Sequence, residues 1–267
     1  MIRAAVAGIG GRMGSRIAQL IRETEGIDLV GGFDHPDYQN VGNDISTVIG
    51  GTTTGIIVRT RIEDVLGSSD VVVDFTNAAT SLEHLRKASA AGKAMIIGST
   101  GFTSEQSLEA AQFASVVPCV LSPNMSIGVN ILFKIVADAA RLLDSGFDVE
   151  IVEAHHRFKK DAPSGTAVKL AQIIAKSHDR DLSDVGVFSR HGLIGERTQS
   201  EIGIQTVRGG DIVGEHTVIF AGLGERIELV HRAQSRDLFA RGAIHAAKWV
   251  VNQPPGLYDM SDVLGIK

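Results

Sequence analysis

The sequence predicts an α/β fold in which a doubly wound, mostly parallel sheet is interrupted by an inserted α+β domain. Three observations support this prediction. Short apolar runs alternate with helical segments through the first 126 residues. Beyond Pro123 the order changes to a long helix and then to several strands with few helices between them. A last helical segment, Leu238–Val251, returns to the pattern of the first part, as expected where one domain is inserted in another.

The first part of the chain predicts the parallel sheet. Short runs that are apolar throughout suit strands covered on both faces. Such runs occur at Ile2–Ala7, Ile27–Phe33, Val71–Phe75, Ala94–Ile97 and Val116–Leu121. Helical periodicity follows at Arg12–Thr24, where Ile17, Leu20 and Ile21 share one face, and at Leu82–Ala91. This repeated order is the βαβ pattern of a doubly wound sheet.

The second part of the chain combines longer strands with two helices. Its elements are the helix Ile127–Leu143, the strand Val149–Ala154, the helix Thr166–Ser177 and the strands Ile202–Val207, Glu215–Ala221 and Arg226–Ala233. The first helix carries an apolar stripe on one side, formed by Ile131, Ile135, Ala139 and Leu142. Successive strands indicate a mixed or antiparallel sheet. We expect one domain of residues 1–126 and 237–267, with residues 127–236 inserted.

The composition excludes several classes of protein. Hydrophobic residues make up 43% and charged residues 21%, which suits a packed core and argues against disorder. The formal net charge of -5 argues against a nucleic-acid partner. Cys119 is the single cysteine, so an intramolecular disulfide cannot form. Without a membrane-spanning run or the features of a secretory signal, a cytoplasmic protein with no membrane partner is expected.

A glycine-rich turn joins the first strand to the first helix. Its glycines are Gly8, Gly11 and Gly14, with Gly10 in addition, and Met13 stands where a strict G-x-G-x-x-G pattern has its last glycine. Because these residues lack a Cβ, the backbone can approach a pyrophosphate, and the helix start attracts it with N–H groups and a partial positive charge. The turn therefore predicts a Rossmann-like, dinucleotide-binding domain.

An acidic residue completes this signal. Asp34 lies about 20 residues after the turn, at the end of the second strand, where a carboxylate accepts hydrogen bonds from the adenosine ribose and repels a 2′-phosphate. His35 follows in place of an arginine that would clamp such a phosphate, although Arg12 offers a cation nearby. The sequence favours NADH and leaves NADPH as the alternative. By topology, the loops Gly98–Phe102 and Ser122–Met125 belong to the same site, beside the nicotinamide.

Ionisable and polar residues are most concentrated where the predicted strand Val149–Ala154 continues into His155 and His156. If the strand stays extended, Glu153 and His155 share a face and can pair, while His155 and His156 point to opposite faces. The two histidines are therefore poor joint ligands for a metal, and no metal site is expected. Lys159 supplies a cation a few residues later.

The segment Pro163–Thr166 precedes a helix. Ser164 or Thr166 can cap that helix, and Gly165 leaves its start open to a ligand. Helix starts of this kind bind carboxylates or phosphates. Together with Lys159 and the histidines, this start predicts a site for an anionic substrate that needs a proton.

The pattern E-x-H-H-x-x-K-x-D-A-P-S-G-T-A, from Glu153 to Ala167, closely resembles the signature of the bacterial 4-hydroxy-tetrahydrodipicolinate reductases of lysine and diaminopimelate synthesis. The resemblance covers nearly the whole chain. It includes the glycine turn, Val73–Thr76, Ile97–Phe102, Asn124, Ser126–Asn130 and Arg208–His216. Ser99 stands where relatives often carry threonine, and His35 where NADPH-tolerant relatives carry arginine.

The resemblance implies roles for individual residues. His155 and Lys159 are the proton-handling pair, and the substrate's carboxylates are held by His156, Lys159, Gly165, Thr166 and Thr100. The cofactor contacts are Gly8, Ile9, Gly10, Gly11, Arg12, Met13, Asp34, Gly98, Ser99, Thr100, Ser122, Pro123, Asn124 and Met125. The family also implies a homotetramer assembled through the sheets of the second domain. No role is assigned to the remaining histidines, among them His84 and His216.

The implied reaction is the reduction of 4-hydroxy-2,3,4,5-tetrahydrodipicolinate to tetrahydrodipicolinate. The ring loses water to give a conjugated imine, hydride is added at ring C4, and either Lys159 or His155 supplies a proton. Two other readings stay open. One is another two-domain dehydrogenase, such as a semialdehyde or homoserine-type enzyme. The semialdehyde class would need a nucleophilic cysteine in an exposed loop, whereas Cys119 lies in an apolar strand. A dinucleotide sensor would not need His155, Lys159 and the open helix start together.

Overall fold

A computed structural model describes residues 1–143 and 146–266. The strands are β1 (Ile2–Ala7), β2 (Ile27–Phe33), β3 (Val58–Arg59), β4 (Val71–Asp74), β5 (Ala94–Ile97), β6 (Pro118–Leu121), β7 (Asp148–His155), β8 (Gly186–Val187), β9 (Ile202–Arg208), β10 (Gly214–Ala221), β11 (Arg226–Ala233) and β12 (Gly256–Tyr258). The helices are α1 (Arg12–Arg22), α2 (Ser46–Ile49), α3 (Glu63–Leu66), α4 (Ala78–Ala90), α5 (Ser104–Ala114), α6 (Ile127–Leu142), α7 (Gly165–Ser177), α8 (Leu182–Val185), α9 (Asp237–Val250) and α10 (Met260–Leu264).

The chain divides into two compact units, Met1–Ile127 with Asp237–Lys267, and Gly128–Arg236. The first contains a seven-stranded sheet in the order β12-β6-β5-β4-β1-β2-β3. Its paired strands are all parallel. The predicted doubly wound, Rossmann-like sheet is thus confirmed. The strand order reverses between β1 and β4, and the carboxyl edge at such a reversal is where ligands of doubly wound sheets bind.

Apolar side chains cover both faces of this sheet. On one face Ile17, Leu20 and Ile21 of α1 are fully buried, as their shared helix face predicted. On the other face Leu85 of α4 packs in a second cluster with Met95 of β5. Because each face is sealed, the strands between them are uniformly apolar and the loops at the carboxyl edge carry the polar groups.

The second unit contains a five-stranded sheet in the order β11-β10-β7-β9-β8. The central strand β7 runs antiparallel to β10 and parallel to β9, so the sheet is mixed. Ile151 of β7 lies beside Ile204 and Val218 in the apolar cluster of this unit. Since side chains alternate along a strand, the next residues on the same face are Glu153 and His155. The core face of the sheet therefore becomes polar at the carboxyl end of β7.

The apolar stripe that the sequence shows on α6 is mostly not the face that the helix buries. Ile131 and Ile135 are 40% and 45% exposed, and Leu142 is 85% exposed. The helix instead buries the stripe formed by Val129, Leu132, Val136 and Ala140. Two neighbouring stripes of this helix are apolar, and periodicity within one helix cannot select which of them meets the sheet. Among the described residues, none of the helices has the length and apolarity needed to cross a membrane.

A close contact between backbones positions the late helix α9 in the first unit. A Cβ atom at Gly242 would lie 1.8 Å from the carbonyl oxygen of Met125. Any side chain at this position must therefore displace either the helix or the loop after β6. Gly67, by contrast, has a φ of -63 and no atom within 4 Å of a Cβ position.

We expect Gly242→Ala to lower the free energy of unfolding by about 3 kcal/mol, because a backbone oxygen cannot move aside as a flexible side chain can. Gly67→Ala is the matched control and should leave stability unchanged or raise it by about 0.4–1 kcal/mol. Urea denaturation of the full chain measures both. Equal effects of the two substitutions would contradict the close contact.

Candidate active site

The turn after β1 brings the start of α1 against the strand. Gly8 has a φ of +62, and its carbonyl oxygen accepts the N–H of Gly11 at 2.9 Å. A Cβ at Gly14 would lie only 2.1 Å from that oxygen. Gly11, at the N-cap, has no side chain to cover the helix start, and the first turn contains no acidic residue. The helix start is therefore suited to an anion.

Asp34 lies across this turn at the end of β2. Its Oδ2 accepts the N–H of Gly10 at 2.7 Å, and its Oδ1 accepts the N–H of His35 at 2.7 Å. The ring of Tyr38 covers Gly10, where a Cβ would lie 2.4 Å from the ring. Each carboxylate oxygen keeps acceptor capacity for a further donor, such as a ribose hydroxyl.

A buried carboxylate lies behind the loop that follows β5. Asp74 has no exposed surface, and its oxygens accept from Ser81 Oγ at 3.0 Å and contact Nδ1 of His84 at 2.7 Å. The hydroxyls of Ser81 and Ser99 lie 2.7 Å apart. The Ser99 side chain therefore points into the protein, while the neighbouring Thr100 is exposed.

The loop after β6 is ordered by its own polar groups. Ser122 Oγ donates to the carbonyl oxygen of Asn124 at 3.0 Å, and Asn124 Oδ1 accepts the N–H of Ser126 at 2.9 Å. Met125 is buried, and Pro123 is exposed. This loop and the three segments above follow parallel strands of one sheet, so all four lie at its carboxyl edge. The glycine clearances and the uncovered helix start fit a dinucleotide.

Glu153 is the centre of the polar cluster in the second unit. The residue is fully buried. Its Oε2 accepts from His155 Nδ1 at 2.6 Å and from Arg208 Nη1 at 2.7 Å. Its Oε1 accepts from the Ser164 amide at 2.9 Å, from Arg208 Nη2 at 2.8 Å and from Thr206 Oγ1 at 3.4 Å. The pairing of Glu153 with His155 that the strand alternation predicted is present.

The charges of this cluster are set by burial and by these contacts. Burial opposes ionisation of Glu153, but the hydrogen bonds from Arg208, His155 and the Ser164 amide outweigh it and lower the pKa to about 2. Burial also lowers the pKa of His155, and the attraction of Glu153 offsets this only in part. At neutral pH the cluster therefore holds an ionised Glu153, a cationic Arg208 and a neutral His155.

A second histidine lies behind the first. His216 is 4% exposed, and its ring meets that of His155 edge-on with centroids 5.2 Å apart. Its Nε2 is 3.1 Å from Ser164 Oγ. Burial, assisted by the neighbouring His155, lowers the pKa of His216 to about 4. His216 is therefore neutral at physiological pH.

Lys159 is held by a neighbouring carboxylate. Its Nζ donates to both oxygens of Asp161 at 2.9 Å, and Asp161 is 60% exposed. The hydrogen bond from Lys159 lowers the pKa of Asp161. Because Lys159 is already paired with an exposed carboxylate, an incoming carboxylate can exchange with Asp161 without leaving the ammonium unpaired.

The start of α7 is open as the sequence predicted. Ser164 provides the cap, since its Oγ accepts the N–H of Ala167 at 3.3 Å. A Cβ at Gly165 would meet no atom within 4 Å. His156 is placed apart from His155, with its Nε2 at 3.4 Å from Arg236 Nη2. The buried Nδ1 of His156 has no hydrogen-bond partner among the described residues.

The predicted site residues are thus distributed over two units. The predicted cofactor contacts and Thr100 lie in the first unit, and His155, His156, Lys159, Gly165 and Thr166 lie in the second. Several contacting residues were not predicted, namely Asp161, Arg208, His216 and the Asp74–His84 pair. Arg208 and His216 reach the cluster through register between distant strands, and the Asp74–His84 contact depends on how α4 packs on β4. Local spacing reveals neither. The pattern K-x-D could have identified Asp161 as a partner of Lys159.

Cys119 does not provide a nucleophile. It is fully buried, and burial raises the pKa of its thiol above the ordinary value. This removes the cysteine that a semialdehyde dehydrogenase would need. Within the described ranges, no group of three His, Cys, Asp or Glu residues is arranged to hold a metal ion.

Comparison with known proteins gives consistent results. Two family models match, described as "Dihydrodipicolinate reductase, N-terminus" over residues 2–125 and "Dihydrodipicolinate reductase, C-terminus" over residues 128–264. The chain is 70% identical to a 4-hydroxy-tetrahydrodipicolinate reductase of Syntrophobacter fumaroxidans and 51% identical to one of Syntrophus aciditrophicus, each over 100% of both chains. A solved structure of dipicolinate-bound dihydrodipicolinate reductase from Paenisporosarcina sp. TG-14 is 29% identical, with a TM-score of 0.78 and 97% coverage of each chain.

The buried His216 predicts a pH dependence of stability. In the unfolded chain the imidazole has its ordinary pKa of about 6.5, and in the folded chain its pKa is about 4. Between these values the unfolded chain binds more protons, so acidification favours unfolding. Stability should fall by up to about 3 kcal/mol as the pH falls through this window.

The control is His216→Gln, which keeps a side-chain donor for Ser164 but does not titrate. Urea denaturation between pH 6.5 and 4.5 should show a smaller loss of stability in the variant. In the folded chain the Glu153 carboxylate titrates near 2, and its titration in the unfolded chain is common to both proteins, so its contribution cancels in the comparison. Parallel losses in the two proteins would contradict a neutral, buried His216.

Proposed function

The chain belongs to the dihydrodipicolinate reductase family, and on that premise we propose that it reduces 4-hydroxy-2,3,4,5-tetrahydrodipicolinate to tetrahydrodipicolinate, a step of diaminopimelate and lysine biosynthesis. One observation carries the proposal beyond family membership. An ionised Glu153, a neutral His155 and a cationic Lys159 lie at one end of a sheet, next to the open start of a helix. This arrangement suits an anionic substrate that is protonated during the reaction.

The substrate's carboxylates are held by cations and by the helix start. Lys159 exchanges its contact with Asp161 for one substrate carboxylate, and the start of α7 at Gly165 and Thr166 receives a carboxylate through its N–H groups and partial positive charge. His156 and Thr100 complete the set of proposed contacts. The solved reductase from Paenisporosarcina sp. TG-14 is bound to dipicolinate, a planar dicarboxylate.

Lys159 is the proposed proton donor. The ionised carboxylate of Glu153 can only accept, so Nδ1 of His155 carries the ring proton and Nε2 of the neutral imidazole is an acceptor. His155 therefore has no proton to give at neutral pH, whereas the Lys159 ammonium has three. Loss of water from the ring gives the conjugated imine. Hydride addition at C4 leaves an enamine anion, which takes a proton from Lys159 to give the product imine. The resulting amine regains a proton from solvent.

The cofactor is a nicotinamide dinucleotide, which supplies the hydride when bound. The residues that would hold it are Gly8–Met13, Asp34, Gly98–Thr100 and Ser122–Met125. The start of α1 would neutralise the pyrophosphate, and Gly14, whose missing Cβ lets α1 pack against Gly8, would hold that start in place. Asp34 would accept hydrogen bonds from the ribose hydroxyls. NADH is favoured because Asp34 repels a 2′-phosphate and the exposed His35 does not provide the bidentate donor of an arginine.

The proposed assembly is a homotetramer formed through the second unit. The face of its sheet opposite the apolar core includes Val207 and Val230, which are 46% and 42% exposed. Val230 lies beside Thr217 on that face, and Thr217 in turn lies beside Val152. A second copy of the chain would remove this apolar surface from water.

The proposed compartment is the cytoplasm, where the single buried cysteine stays reduced.

Replacement of the proposed proton donor tests the function. Lys159→Ala should lower kcat/KM with enzymatically generated 4-hydroxy-tetrahydrodipicolinate by about 10²–10⁴-fold, while NADH binding, followed by fluorescence, persists. The exposed neighbour Lys160 supplies the control, and Lys160→Ala should stay within about twofold of wild type. Cofactor binding without turnover in the wild-type protein would refute this substrate assignment. It would favour a dinucleotide sensor or another dehydrogenase.

The cofactor preference is tested at His35. His35→Arg should raise kcat/KM for NADPH by about 10-fold, since a charge-assisted contact to the 2′-phosphate is added, and should change that for NADH little. His35→Gln removes the imidazole without adding a cation and is the matched control. A wild-type enzyme that uses NADPH at least as well as NADH would overturn the interpretation of Asp34.

A further inference from the structure

Resting on the proposed function, we propose that Glu153 is a positioning residue of the reaction. It holds His155 in the tautomer that presents Nε2 to the substrate as an acceptor, and it fixes the turn that begins the carboxylate-binding helix α7. Glu153 does not itself touch the substrate, because it is fully buried.

The tautomer follows from the chemistry of the contact. Oε2 of Glu153 lies 2.6 Å from Nδ1 of His155 and 2.7 Å from Arg208 Nη1. A carboxylate paired with a guanidinium in this way remains ionised and can only accept hydrogen bonds. The proton of the neutral imidazole is therefore on Nδ1. Without this contact either ring nitrogen could carry the proton. Nε2 would then no longer be fixed as the acceptor that faces the substrate.

One carboxylate connects two parts of the site. While Oε2 orients His155, Oε1 accepts the backbone N–H of Ser164 at 2.9 Å. Ser164 is the N-cap of α7, so its position sets that of the helix start. Arg208, from the neighbouring strand β9, contacts both oxygens and prevents rotation of the carboxylate. The proton-handling group and the carboxylate-binding turn are therefore aligned by the same side chain.

Stability alone does not explain a buried ion pair here. Two residues earlier on the same face, Ile151 packs beside Ile204 and Val218. Continuing that apolar layer would cover the sheet at least as favourably, since desolvation cancels much of the attraction within a buried ion pair. The polar side chain at position 153 instead coincides with the point where the core face reaches the proposed site.

The charge of Glu153 also affects the titration of His155. The groups that face His155 are Glu153 on its own strand, Arg208 on β9, His216 on β10 and Lys159 in the following loop. Of these, only Glu153 favours the protonated imidazole. Removing its charge therefore lowers the pKa of His155 further. Activity that requires a neutral His155 should then persist to lower pH.

The test compares Glu153→Gln with wild type in the full chain labelled with ¹⁵N-histidine. Glutamine keeps the shape, but its amide nitrogen can donate to Nδ1 and move the ring proton to Nε2. The ¹⁵N spectrum should show Nδ1–H in wild type and Nε2–H in the variant. We expect kcat/KM to fall by about 100-fold and the acid limb of its pH profile to move to lower pH.

Glu150→Gln is the matched control. Glu150 lies on the same strand but faces away from His155. Like Glu153 it is ion-paired with arginine, in this case with Arg190 and Arg197. This control should keep the wild-type kcat/KM within about twofold and the wild-type tautomer even where its melting temperature falls. Glu153→Asp, which keeps the charge, should retain more activity than Glu153→Gln.

Several results would overturn the proposal. One is an Nε2–H tautomer in the wild-type protein, which can be measured even where Glu153→Gln does not fold. Another is full activity of a folded Glu153→Gln variant. A third is lost activity with an unchanged tautomer and an unchanged acid limb, which would indicate a merely structural role. An inactive wild-type protein would instead refute the proposed substrate, and the tautomer measurement would still decide the position of the proton.

Discussion

The second unit depends on an ionised carboxylate buried at the end of its apolar core. The alternation of β7 places Ile151, Glu153 and His155 on one face, so the same strand contributes to the core and to the chemistry. A charge in this position is tolerated because Arg208 and backbone and side-chain donors satisfy both oxygens. Through its contacts with His155 and the Ser164 amide, the buried Glu153 fixes both His155 and the start of α7 against the core.

The first unit uses a comparable arrangement. Asp74 is buried behind the loop after β5, and its contacts reach Ser99 through Ser81. His84 closes the other side of this carboxylate. In both units a buried acid lies behind a loop of the proposed site, and hydrogen bonds rather than exposed side chains determine the shape of that loop. For an oxidoreductase of this family, such support limits the motion of groups that must meet the reacting atoms in a fixed geometry.

Features that depend on neighbouring residues could be predicted from the sequence. The glycine turn, the cap at Ser164 and the pairing of Glu153 with His155 all follow from spacings of a few residues. The helix α5 also had a local signal, the capping box of Thr103 and Gln106, but it buries only two alanines and lacks a clear apolar stripe. It was therefore not predicted.

Features that depend on distant segments could not be predicted. Arg208 reaches Glu153 because β9 runs parallel to β7 in a register that places it beside His155. His216 meets the same cluster through the antiparallel pairing of β10. The choice between two apolar stripes on α6, with Leu132 buried and Ile135 exposed, is likewise made by the sheet on which the helix packs. Pairing between strands and packing between layers are tertiary properties, and a single sequence does not encode them in any local pattern.

The ion pair between Lys159 and Asp161 has a consequence for the choice of ligand. In the proposed site, binding of a substrate carboxylate to Lys159 would replace one carboxylate by another, so the number of ion pairs at the ammonium would not change. A small monocarboxylate metabolite gains little from this exchange, because Asp161 is tethered nearby at a high effective concentration. A dicarboxylate would gain from its second carboxylate, which the start of α7 at Gly165 would receive in the proposed site. In the proposed site, Asp161 would therefore disfavour binding of the many monocarboxylates of the cell.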